Sequence, residues 1–425
     1  MRYIADLHIH SKYSRACSPR LVPEEIGKWC RIKGVDIVAS ADFTHPKWFA
    51  ELKSKLTLAD NGLYQLVNDK KEISTSPPVY FLLSAEISCI YSKGGQVRRL
   101  HILIFAPSFE VVAKINKKLS EIGNLAADGR PILGLDAKEL LKIILEIDES
   151  CLVIPAHAWT PWFAVFGSKS GFNSLEECFE ELAHHIYAIE TGLSSDPAMN
   201  WRLSKLDSVT LVSHSDAHSP ENIGREADVF EIDGQAQNFY DEIYRIIKEK
   251  NQKKFLYTVE FYPEEGMYHF DGHRGCKVRM SPEETRKNKN ICPVCKRVVT
   301  VGVMNRVEEL ADRAPNEKPK SFIPYRSLVG LDDTIAEALG VFGRKTKAVL
   351  REYQNLIDKG KSEFNILLDL SYDELLKITS PEIVEAVRRN REGKVSIEPG
   401  YDGTYGTVRL FSDQEKKRIK QESLF

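Results

Sequence analysis

The sequence has no long hydrophobic run. No stretch approaches roughly twenty consecutive uncharged apolar residues, the length that a membrane-spanning helix needs. The first residues also lack the basic segment, apolar run and small-residue cleavage site of a secretory signal peptide. We therefore expect a cytoplasmic protein that has no membrane partner.

Cysteine is scarce for a chain of this length. Eight cysteines in 425 residues do not predict the dense disulfide framework of small secreted domains. Five are isolated in the sequence, and we expect free thiols at Cys17, Cys30, Cys89, Cys151 and Cys178. Long internal repeats and low-complexity tracts are also absent, and 42% apolar residues are typical of a globular protein. The length suggests two or three domains.

A large net charge is missing as well, but the charge that exists is unevenly spread. The net charge is −2, yet residues 1–270 carry 30 basic and 37 acidic residues, whereas residues 271–425 carry 29 and 24. An acidic first part suits metal binding. A mildly basic second part permits a polyanionic partner without requiring one.

The histidines are the most informative residues of this sequence. Seven of the eleven histidines lie in or beside six short stretches that carry metal-ligand side chains. Each stretch lies in or next to a short apolar, β-prone run, and strand ends are where an α/β barrel builds its active site. The stretches are residues 6–10, 42–45, 85–86, 100–101, 155–158 and 215–218.

Residues 1 to about 260 alternate strand patterns with helix patterns. Such alternation predicts βαβ units and a parallel sheet, and the number of strands favours a closed barrel. Pro23 suits a first helical turn, and Asp136 is a plausible N-cap. The predicted strands are residues 3–8, 35–41, 80–85, 100–106, 152–156, 186–190 and 209–213. The predicted helices are residues 23–33, 111–122, 137–147 and 175–183.

The rest of the chain divides into smaller units. A linker at residues 260–266 precedes a short Cys/His unit, and a polar linker at residues 313–320 separates that unit from a helical region. We predict four parts: a catalytic barrel at residues 1–260, a zinc-binding module at 261–312, a helical domain at 321–411 and a tail at 412–425.

The spacing within the histidine stretches predicts shared metal sites. Alternate residues of a strand face the same side, so His8 and His10 can chelate one ion, and Asp216 and His218 stand in the same relation. Imidazole and carboxylate ligands suit zinc, manganese or iron, and such sites activate water for phosphoryl displacement. Further candidates from other strand ends are Glu86, His101, His157 and either Asp42 or His45, with Glu190 and His214 as supporting groups.

The Cys/His unit has the spacing of a zinc ribbon. His273 and Cys276 form one pair, fifteen residues follow, and Cys292 and Cys295 form the second pair. Four ligands on two facing turns predict a closed tetrahedral zinc site, which would be structural. His269 is the replacement ligand if His273 is not used.

The order of the histidine and carboxylate motifs resembles the PHP (polymerase and histidinol phosphatase) family across about residues 3–233. The resemblance implies a distorted β/α barrel, two or three metals and hydrolysis of phosphoesters. It implies one metal on His8, His10, Glu86 and Asp216, a second on Glu86, His101 and His157, and a third on His218 with Asp42 or His45. Residues 11–15 lack the histidine that many members have there, which leaves the third position open.

The whole layout resembles the endonuclease Q branch of that family, with local signatures at residues 155–162 and 215–220. The resemblance implies a metal-dependent DNA repair endonuclease that cleaves 5′ to deaminated bases (uracil, hypoxanthine, xanthine) or abasic sites. Its catalytic residues would be Glu86, Asp216 and His218. Trp159, Trp162 and Phe163 would stack on DNA or pack under a loop, and Arg225 would bind phosphate or form a surface salt bridge.

The resemblance also implies cofactors and partners. Zinc is expected in the Cys/His unit and at the catalytic site, where magnesium or manganese is the alternative. Damaged DNA is the expected substrate. The last residues, from Gln421 to Phe425, resemble a short peptide that binds the sliding clamp.

Two other functions remain open at the level of sequence. The chain could be a PHP phosphatase that acts on a small phosphomonoester, with the extra modules serving assembly. It could instead be a non-catalytic adaptor for DNA or the clamp, although the near-complete ligand set argues against this.

Overall fold

The computed structural model describes residues 1–67, 78–341, 343–412 and residue 415, and it has a mixed α/β architecture. The strands are β1 (Arg2–Asp6), β2 (Ile37–Ala39), β3 (Leu56–Leu58), β4 (Tyr64–Leu66), β5 (Tyr80–Leu82), β6 (Ser84–Lys93), β7 (Gln96–Phe105), β8 (Ile132–Leu133), β9 (Leu152–Pro155), β10 (Ala188–Glu190), β11 (Thr210–Val212), β12 (Ala227–Glu231), β13 (Phe255–Glu260), β14 (Asp271–His273), β15 (Val278–Met280), β16 (Tyr325–Ser327), β17 (Ser396–Glu398) and β18 (Thr407–Arg409).

The α-helices lie between and after these strands. They are α1 (Pro23–Lys33), α2 (Pro46–Lys55), α3 (Phe109–Ser120), α4 (Ala137–Ile147), α5 (Leu175–Phe179), α6 (Pro197–Asn200), α7 (Phe239–Lys248), α8 (Pro282–Lys287), α9 (Val303–Leu310), α10 (Leu331–Ala338), α11 (Lys347–Gly360), α12 (Tyr372–Leu376) and α13 (Pro381–Arg391). Short 3₁₀ segments are Glu180–His185, Ser204–Leu206, Pro220–Asn222, Pro263–Glu265 and Arg274–Cys276, and Asn365–Asp369 is a π-helical turn.

Three sheets make up the barrel. The largest has the order β16-β13-β12-β1-β2-β5-β4-β3, in which β1, β2 and β5 are parallel and β12 is antiparallel to β1. The second sheet has the order β8-β6-β7-β9, and the third is the parallel pair β10-β11. The strands that lead to the histidine stretches are therefore neighbours in these sheets.

Backbone hydrogen bonds between the sheets close the barrel. Phe43 N–H donates to Ser84 O at 3.2 Å, Ala158 N–H donates to Glu190 O at 2.9 Å, and His10 N–H donates to Ala217 O at 3.1 Å. All three bonds lie at the carboxyl ends of parallel strands, where the histidine stretches are. The predicted fold class, a distorted barrel followed by a small Cys/His module and a helical C-terminal region, is confirmed.

Two helices begin and end at the residues that their sequence signals predict. Helix α1 has Pro23 in its first turn and ends at Gly34, whose φ of 84° lies in the left-handed region that glycine accepts readily. Helix α4 begins after Asp136, whose side chain accepts a hydrogen bond from Lys138 N–H at 2.8 Å. The predicted bounds of both helices are those observed.

The expectation of parallel neighbours fails for several strand pairs, among them β1 with β12 and β7 with β9, and one of these failures shapes the site. Strands β6 and β7 are ten residues each and form an antiparallel hairpin. Gly94 and Gly95 make its turn with φ values of 60° and 73°, a conformation that two glycines permit in a two-residue hairpin turn. In this register Ser88 is opposite His101, so Glu86 and His101 are diagonal neighbours on one face.

The C-terminal part is joined to the barrel rather than separate from it. Strand β16 pairs in parallel with β13, so residues 325–327 extend the barrel sheet. The hairpin of β17 and β18 returns to the Cys/His module, where Phe270 N–H donates to Gly400 O at 2.9 Å. The division at residues 260, 312 and 321 stays a prediction. Of the predicted tail, Ser412 and Glu415 are described, and the peptide from Gln421 to Phe425 lies outside the described residues.

Within the part of the chain that the structure covers, every helix is too short or too polar to cross a lipid bilayer.

One buried ion pair fastens the helical region to the barrel. Lys33 at the end of α1 donates to Glu363 Oε2 at 2.7 Å, and both side chains are less than a tenth exposed. Glu363 also accepts hydrogen bonds from Leu331 N–H and from the hydroxyl of Tyr353. Burial opposes the charge of Glu363, but Lys33 and the other donors hold its pKa below the usual range. Glu363 therefore keeps its negative charge in the native state.

Replacing Lys33 by methionine is expected to lower the free energy of unfolding by about 3–5 kcal/mol, because Glu363 would keep a buried charge without its partner. Chemical unfolding followed by circular dichroism measures the loss. Lys118→Met, which breaks an exposed pair with Glu121, is the control and should change stability little. The double variant Lys33→Met/Glu363→Gln should regain most of the loss, and wild-type stability of the single variant would contradict the role of the pair.

Candidate metal centre

The predicted ligand residues meet at one mouth of the barrel. His8 and His10 follow β1, His157 follows β9, and Asp216 follows β11. The hairpin of β6 and β7 brings Glu86 into the same mouth. Two groups of side chains result, each with its possible ligand atoms within 4.8 Å of one another: His8, His10 and Asp216, and Glu86, His101 and His157.

The first group surrounds one point with ring nitrogens and carboxylate oxygens. His10 Nε2 lies 3.0 Å from Asp216 Oδ1 and 3.2 Å from Glu86 Oε2. His8 Nε2 lies 3.6 Å and 3.5 Å from the same two oxygens. Four potential donors of electron pairs therefore face each other across a space the size of a cation.

The second group uses the other oxygen of the same glutamate. Glu86 Oε1 lies 2.9 Å from His101 Nδ1 and 3.3 Å from His157 Nε2, and these two nitrogens are 3.1 Å apart. Glu86 therefore has one oxygen in each group and would offer a ligand atom to each of two metals. Burial alone would raise its pKa, but His101, Arg130 and His8 hold the pKa of Glu86 well below the usual range.

Three buried atoms in the first group make the best test of whether a metal fits. His8 Nε2, His10 Nε2 and Asp216 Oδ1 are fully buried and have no hydrogen-bond partner in the described part of the chain. A buried polar atom without a partner is costly, and three that converge on one point are better explained by a shared cation. The residues present therefore fit a metal at this position.

A buried carboxylate behind the ligands orients them. Glu190 accepts hydrogen bonds from His8 Nδ1 at 3.0 Å, from His214 Nδ1 at 2.8 Å and from the backbone N–H of His157 at 2.7 Å. Although burial opposes its charge, His8 and His214 lower the pKa of Glu190 to about 2. His214 is held between Glu190 and Asp228, which overcome the effect of burial and raise its pKa to about 9. This fixes the His8 ring with Nε2 toward the centre.

The backbone is strained where the ligands enter the mouth. His157 has a φ of 29° and Asp216 a φ of 46°, both in a region that non-glycine residues rarely adopt. Gly192 packs against His157, and a Cβ added at Gly192 would lie 2.6 Å from His157 Cβ. Strain of this kind persists where the surrounding fold enforces it, and it clusters at functional sites.

The structure does not bring Asp42 or His45 into either group among the described residues. Asp42 Oδ1 faces His10 Nδ1 at 3.2 Å, and its Oδ2 accepts three hydrogen bonds from Ser11 and Ser14. His45 caps helix α2, with Nδ1 accepting from Trp48 N–H, and its ring stacks on Tyr13. Asp42 is thus positioned to orient His10 from behind.

His218 lies at the rim of the first group. Its Nδ1 donates to the backbone oxygen of Asp216 at 2.8 Å, which leaves Nε2 as the unprotonated ring nitrogen. The rings of His218 and His10 are 4.7 Å apart. Burial lowers the pKa of His218, so the ring is neutral near pH 7. A neutral ring with a free electron pair can bind a metal or accept a proton.

Two arginines act here that sequence reasoning missed or left undecided. Arg130 Nη1 donates to Glu86 Oε2 at 3.1 Å, and nothing in the spacing of its loop sequence marks it as a site residue. Arg225, left undecided between phosphate and a surface salt bridge, forms no ion pair within the described residues. Its Nε donates to Ser215 O at 2.8 Å and its Nη2 to Asp216 O at 3.3 Å, so it holds the Asp216 loop.

The aromatic residues near His157 differ in exposure. Trp159 is buried, and its Nε1 donates to Asn200. Phe163 packs against the ring of His101. Trp162 is 43% exposed and borders a cavity of about 480 Å³ between the barrel mouth and the Cys/His module. Other residues in the cavity wall are Thr160, Arg225, Tyr268, His269 and Tyr405.

A separate ligand group lies in the module after the barrel. Possible ligand atoms of His273, Cys276, Cys292 and Cys295 lie within 4.8 Å of one another. His273 is on β14, Cys276 ends the 3₁₀ turn that follows, and the two other cysteines lie on a facing turn. His269 is not part of this group in the described chain. Three sulfurs and an imidazole at this spacing support a bound metal.

Comparison with known proteins gives matches along the whole chain. Residues 330–394 match the family model described as MJ0043 C-terminal domain. The chain is 32% identical over 270 residues to the uncharacterized protein MJ0043 of Methanocaldococcus jannaschii, which covers 63% of the chain and 33% of that protein. It is 26% identical over 427 residues to the uncharacterized protein YqxK of Bacillus subtilis, which covers 95% of the chain and 98% of that protein.

Two solved structures are similar over nearly the full length. The lesion-specific endonuclease PfuEndoQ of Pyrococcus furiosus superposes with a TM-score of 0.84 at 29% identity, covering 100% of this chain and 99% of that one. An endonuclease Q in complex with a 27-mer duplex substrate that has an abasic lesion at the active site superposes with a TM-score of 0.82. The identity is 30%, with 98% of both chains covered.

Replacing Cys292 by serine is expected to remove one equivalent of metal per chain, because a structural tetrahedral site rarely survives the loss of a thiolate. Elemental analysis of the purified protein measures the change. Cys151→Ser, at a buried cysteine outside both ligand regions, is the control and should keep the wild-type metal content. An unchanged metal content in Cys292→Ser would contradict a metal on the Cys/His group.

Replacing Glu190 by glutamine is expected to weaken metal binding in the barrel by about 10–100-fold, because the His8 ring loses its charged partner. Titration of the metal-free protein against a competing chelator measures the affinity. Glu231→Gln changes an exposed glutamate on β12 and should leave the affinity as in the wild type. A wild-type affinity in Glu190→Gln would show that Glu190 has only a packing role.

Proposed function

We propose that this chain, which belongs to the endonuclease Q family, is a metal-dependent DNA repair endonuclease. Membership rests on 30% identity to a solved endonuclease Q over 98% of both chains. It confirms the resemblance predicted from the order of the sequence motifs. The fold alone does not decide chemistry, and the residues at the barrel mouth carry the rest of the proposal.

The proposed substrate is duplex DNA with a damaged nucleotide. A solved relative is described as lesion-specific, and another contains a duplex with an abasic lesion at the active site. For this chain we propose hydrolysis of the phosphodiester 5′ to uracil, hypoxanthine, xanthine or an abasic site, which leaves a 3′-hydroxyl and a 5′-phosphate. Enzymes that inspect a base commonly extrude it from the stack, and the cavity beside Trp162 is large enough for one.

The proposed metal ligands are the two groups at the barrel mouth. His8, His10, Asp216 and Glu86 would hold one ion, and Glu86, His101 and His157 a second. In a centre with two ions, His218 Nε2 stays free to accept a proton. A third ion would take His218 Nε2 as a ligand instead, and Asp42 and His45 are less suited to that position because their side chains are engaged elsewhere. We propose zinc in the Cys/His module and zinc, magnesium or manganese at the barrel mouth.

The chemistry divides between the bound metals and the side chains of the chain. Bound divalent metals would lower the pKa of a water molecule and neutralise charge on the phosphoryl oxygens. The Asp216 carboxylate orients the attacking water. His218 Nε2, which is unprotonated, accepts its proton. Glu86 keeps both ligand groups in a fixed relation.

One observation carries the proposal. Among the described residues, three buried acceptor atoms have no hydrogen-bond partner, and they converge with one oxygen of Glu86. The other oxygen of Glu86 faces the imidazoles of His101 and His157. An adaptor that had lost its catalytic site would not need to retain such a set. A phosphatase for small monoesters would use the same centre, so the substrate must separate the two enzymes.

Asp216→Ala is expected to lower the rate of nicking of a labelled duplex containing uracil by about 10³-fold, the scale of losing one charge-stabilising group. Hypoxanthine and abasic duplexes should be nicked as well, with products sized on a gel. Chelation by EDTA should abolish nicking. Asp60→Ala, at an exposed aspartate, is the matched control.

Hydrolysis of nitrophenyl phosphate without nicking of any lesion duplex would favour the phosphatase. Nicking by Asp216→Ala at the wild-type rate would contradict the proposed centre.

One further partner, the sliding clamp, and the cellular location remain predictions. The peptide from Gln421 to Phe425 would bind a sliding clamp, and it lies outside the described residues. A cytoplasmic location is proposed because the substrate is cellular DNA.

A further inference from the structure

Arg130 places a positive charge against the centre of the ligand set. Its Nη1 lies 3.1 Å from Glu86 Oε2, the same oxygen that faces His10 Nε2 at 3.2 Å and His8 Nε2 at 3.5 Å. No other arginine or lysine in the described chain forms an ion pair with Glu86 or Asp216. The residue precedes β8, in the loop after helix α3.

The loop is built so that this placement is fixed. Asp128 Oδ1 accepts a hydrogen bond from the backbone N–H of Arg130 at 3.0 Å and another from Arg15 N–H. Gly129 N–H donates to Tyr13 O at 3.0 Å. A Cβ added at Gly129 would lie 2.4 Å from Asp42 Oδ2, so only glycine lets the loop approach this closely. The guanidinium is therefore positioned by the backbone on its N-terminal side.

The C-terminal side of the loop is fixed as well. Ser88 N–H donates to Pro131 O at 3.0 Å, and Ser88 pairs with Ile132 in the sheet. Ser88 is on the same strand as Glu86. The element that carries the bridging carboxylate thus also anchors the loop that carries the arginine.

Arg130 differs from the arginines that have structural roles. Arg225 and Arg306 donate to backbone carbonyl oxygens of the barrel, and Arg306 also contacts the side chains of Asn173 and Glu309. The guanidinium of Arg130 has one hydrogen bond within the described residues, and its side chain is 23% exposed at the mouth. Its remaining N–H donors are free to bind a substrate group.

The balance of charge at the mouth requires an anion when cations are bound. Divalent cations on both ligand groups would neutralise Glu86 and leave a net positive centre beside Arg130. A guanidinium beside such a centre would be repelled strongly in a partly buried site. A phosphodiester carries the missing negative charge, and a planar guanidinium matches its oxygens better than an ammonium does.

We propose that Arg130 is a catalytic residue that binds a non-bridging oxygen of the scissile phosphodiester. The proposal rests on the endonuclease function proposed above. Arg130 exchanges no atom in the reaction: a bond forms between the water oxygen and phosphorus, and the bond between phosphorus and O3′ breaks. The water proton goes to His218 Nε2, and O3′ leaves as the 3′-hydroxyl after taking up a proton from solvent. Arg130 stabilises the charge that builds up on the phosphoryl oxygens.

The first measurement compares Arg130→Met and Arg130→Lys with the wild type on a uracil duplex. We expect kcat of Arg130→Met to fall by about 10²–10³-fold, as for the loss of one donor to a developing oxyanion, with the metal content unchanged. Arg130→Lys should regain part of the loss, because it keeps the charge without the planar fork. Arg245→Met, at an exposed arginine on α7, should keep the wild-type kcat.

The second measurement uses a phosphorothioate at the scissile linkage, in the Rp and the Sp form. If Arg130 contacts one oxygen, Arg130→Met should reduce the thio effect for one diastereomer by roughly tenfold and leave the other as it is, since one charge-assisted hydrogen bond is lost. A residue that only supports Glu86 would lower both rates equally. An unchanged ratio of the two thio effects, an unchanged kcat or a loss of metal would overturn the proposal. A wild-type protein that nicks no lesion duplex would instead sink the proposed function itself.

Discussion

The fold of the first 260 residues is organised around a repulsion that a bound cation would relieve. Glu86 Oε2, Asp216 Oδ1 and two imidazole nitrogens face each other within 3.0–3.6 Å in a buried space. Electron pairs that point at one another are costly without a positive charge between them. Other interactions in the barrel must therefore stabilise this arrangement of atoms. These interactions are contacts at the ends of the strands.

The supporting contacts explain why several buried polar residues are not themselves ligands. Asp6, which shares a strand face with His8, accepts from Ser215 N–H and Gly224 N–H and so ties the Asp216 loop to the first strand. Arg225 holds the same loop through its carbonyl oxygens. Glu190 connects a ligand ring to the backbone of His157. The ligand side chains are therefore held in place by loops, and buried charged residues on the far side of the ligands bind those loops.

Much of this could be predicted from sequence because strand ends and helix caps have local signals. The bounds of helices α1 and α4 followed from Pro23 and Asp136, and the convergence of His8, His157 and Asp216 followed from their positions after strands. Glu86 and His101 were also predicted at strand ends, but they lie inside β6 and β7, and the hairpin of these strands brings them to the mouth. The antiparallel hairpin was missed because its turn, Gly94 and Gly95, lies in a polar stretch without hydrophobic alternation. Arg130 was missed because a single arginine in a loop has no period or spacing. Asp42 followed a strand as expected, but tertiary hydrogen bonds turned it behind His10.

The Cys/His module has an unusual place in the chain. It begins after β13 and ends before β16, and these two strands pair with each other, with Thr258 opposite Tyr325 and Glu260 opposite Ser327. The module is thus a long crossover connection between two paired strands rather than an independent domain joined by a linker. A chain truncated at residue 260 would leave β13 as a bare sheet edge, and bare edges recruit strands from other molecules. A truncated barrel should therefore tend to self-associate, so the catalytic part is not a separable unit.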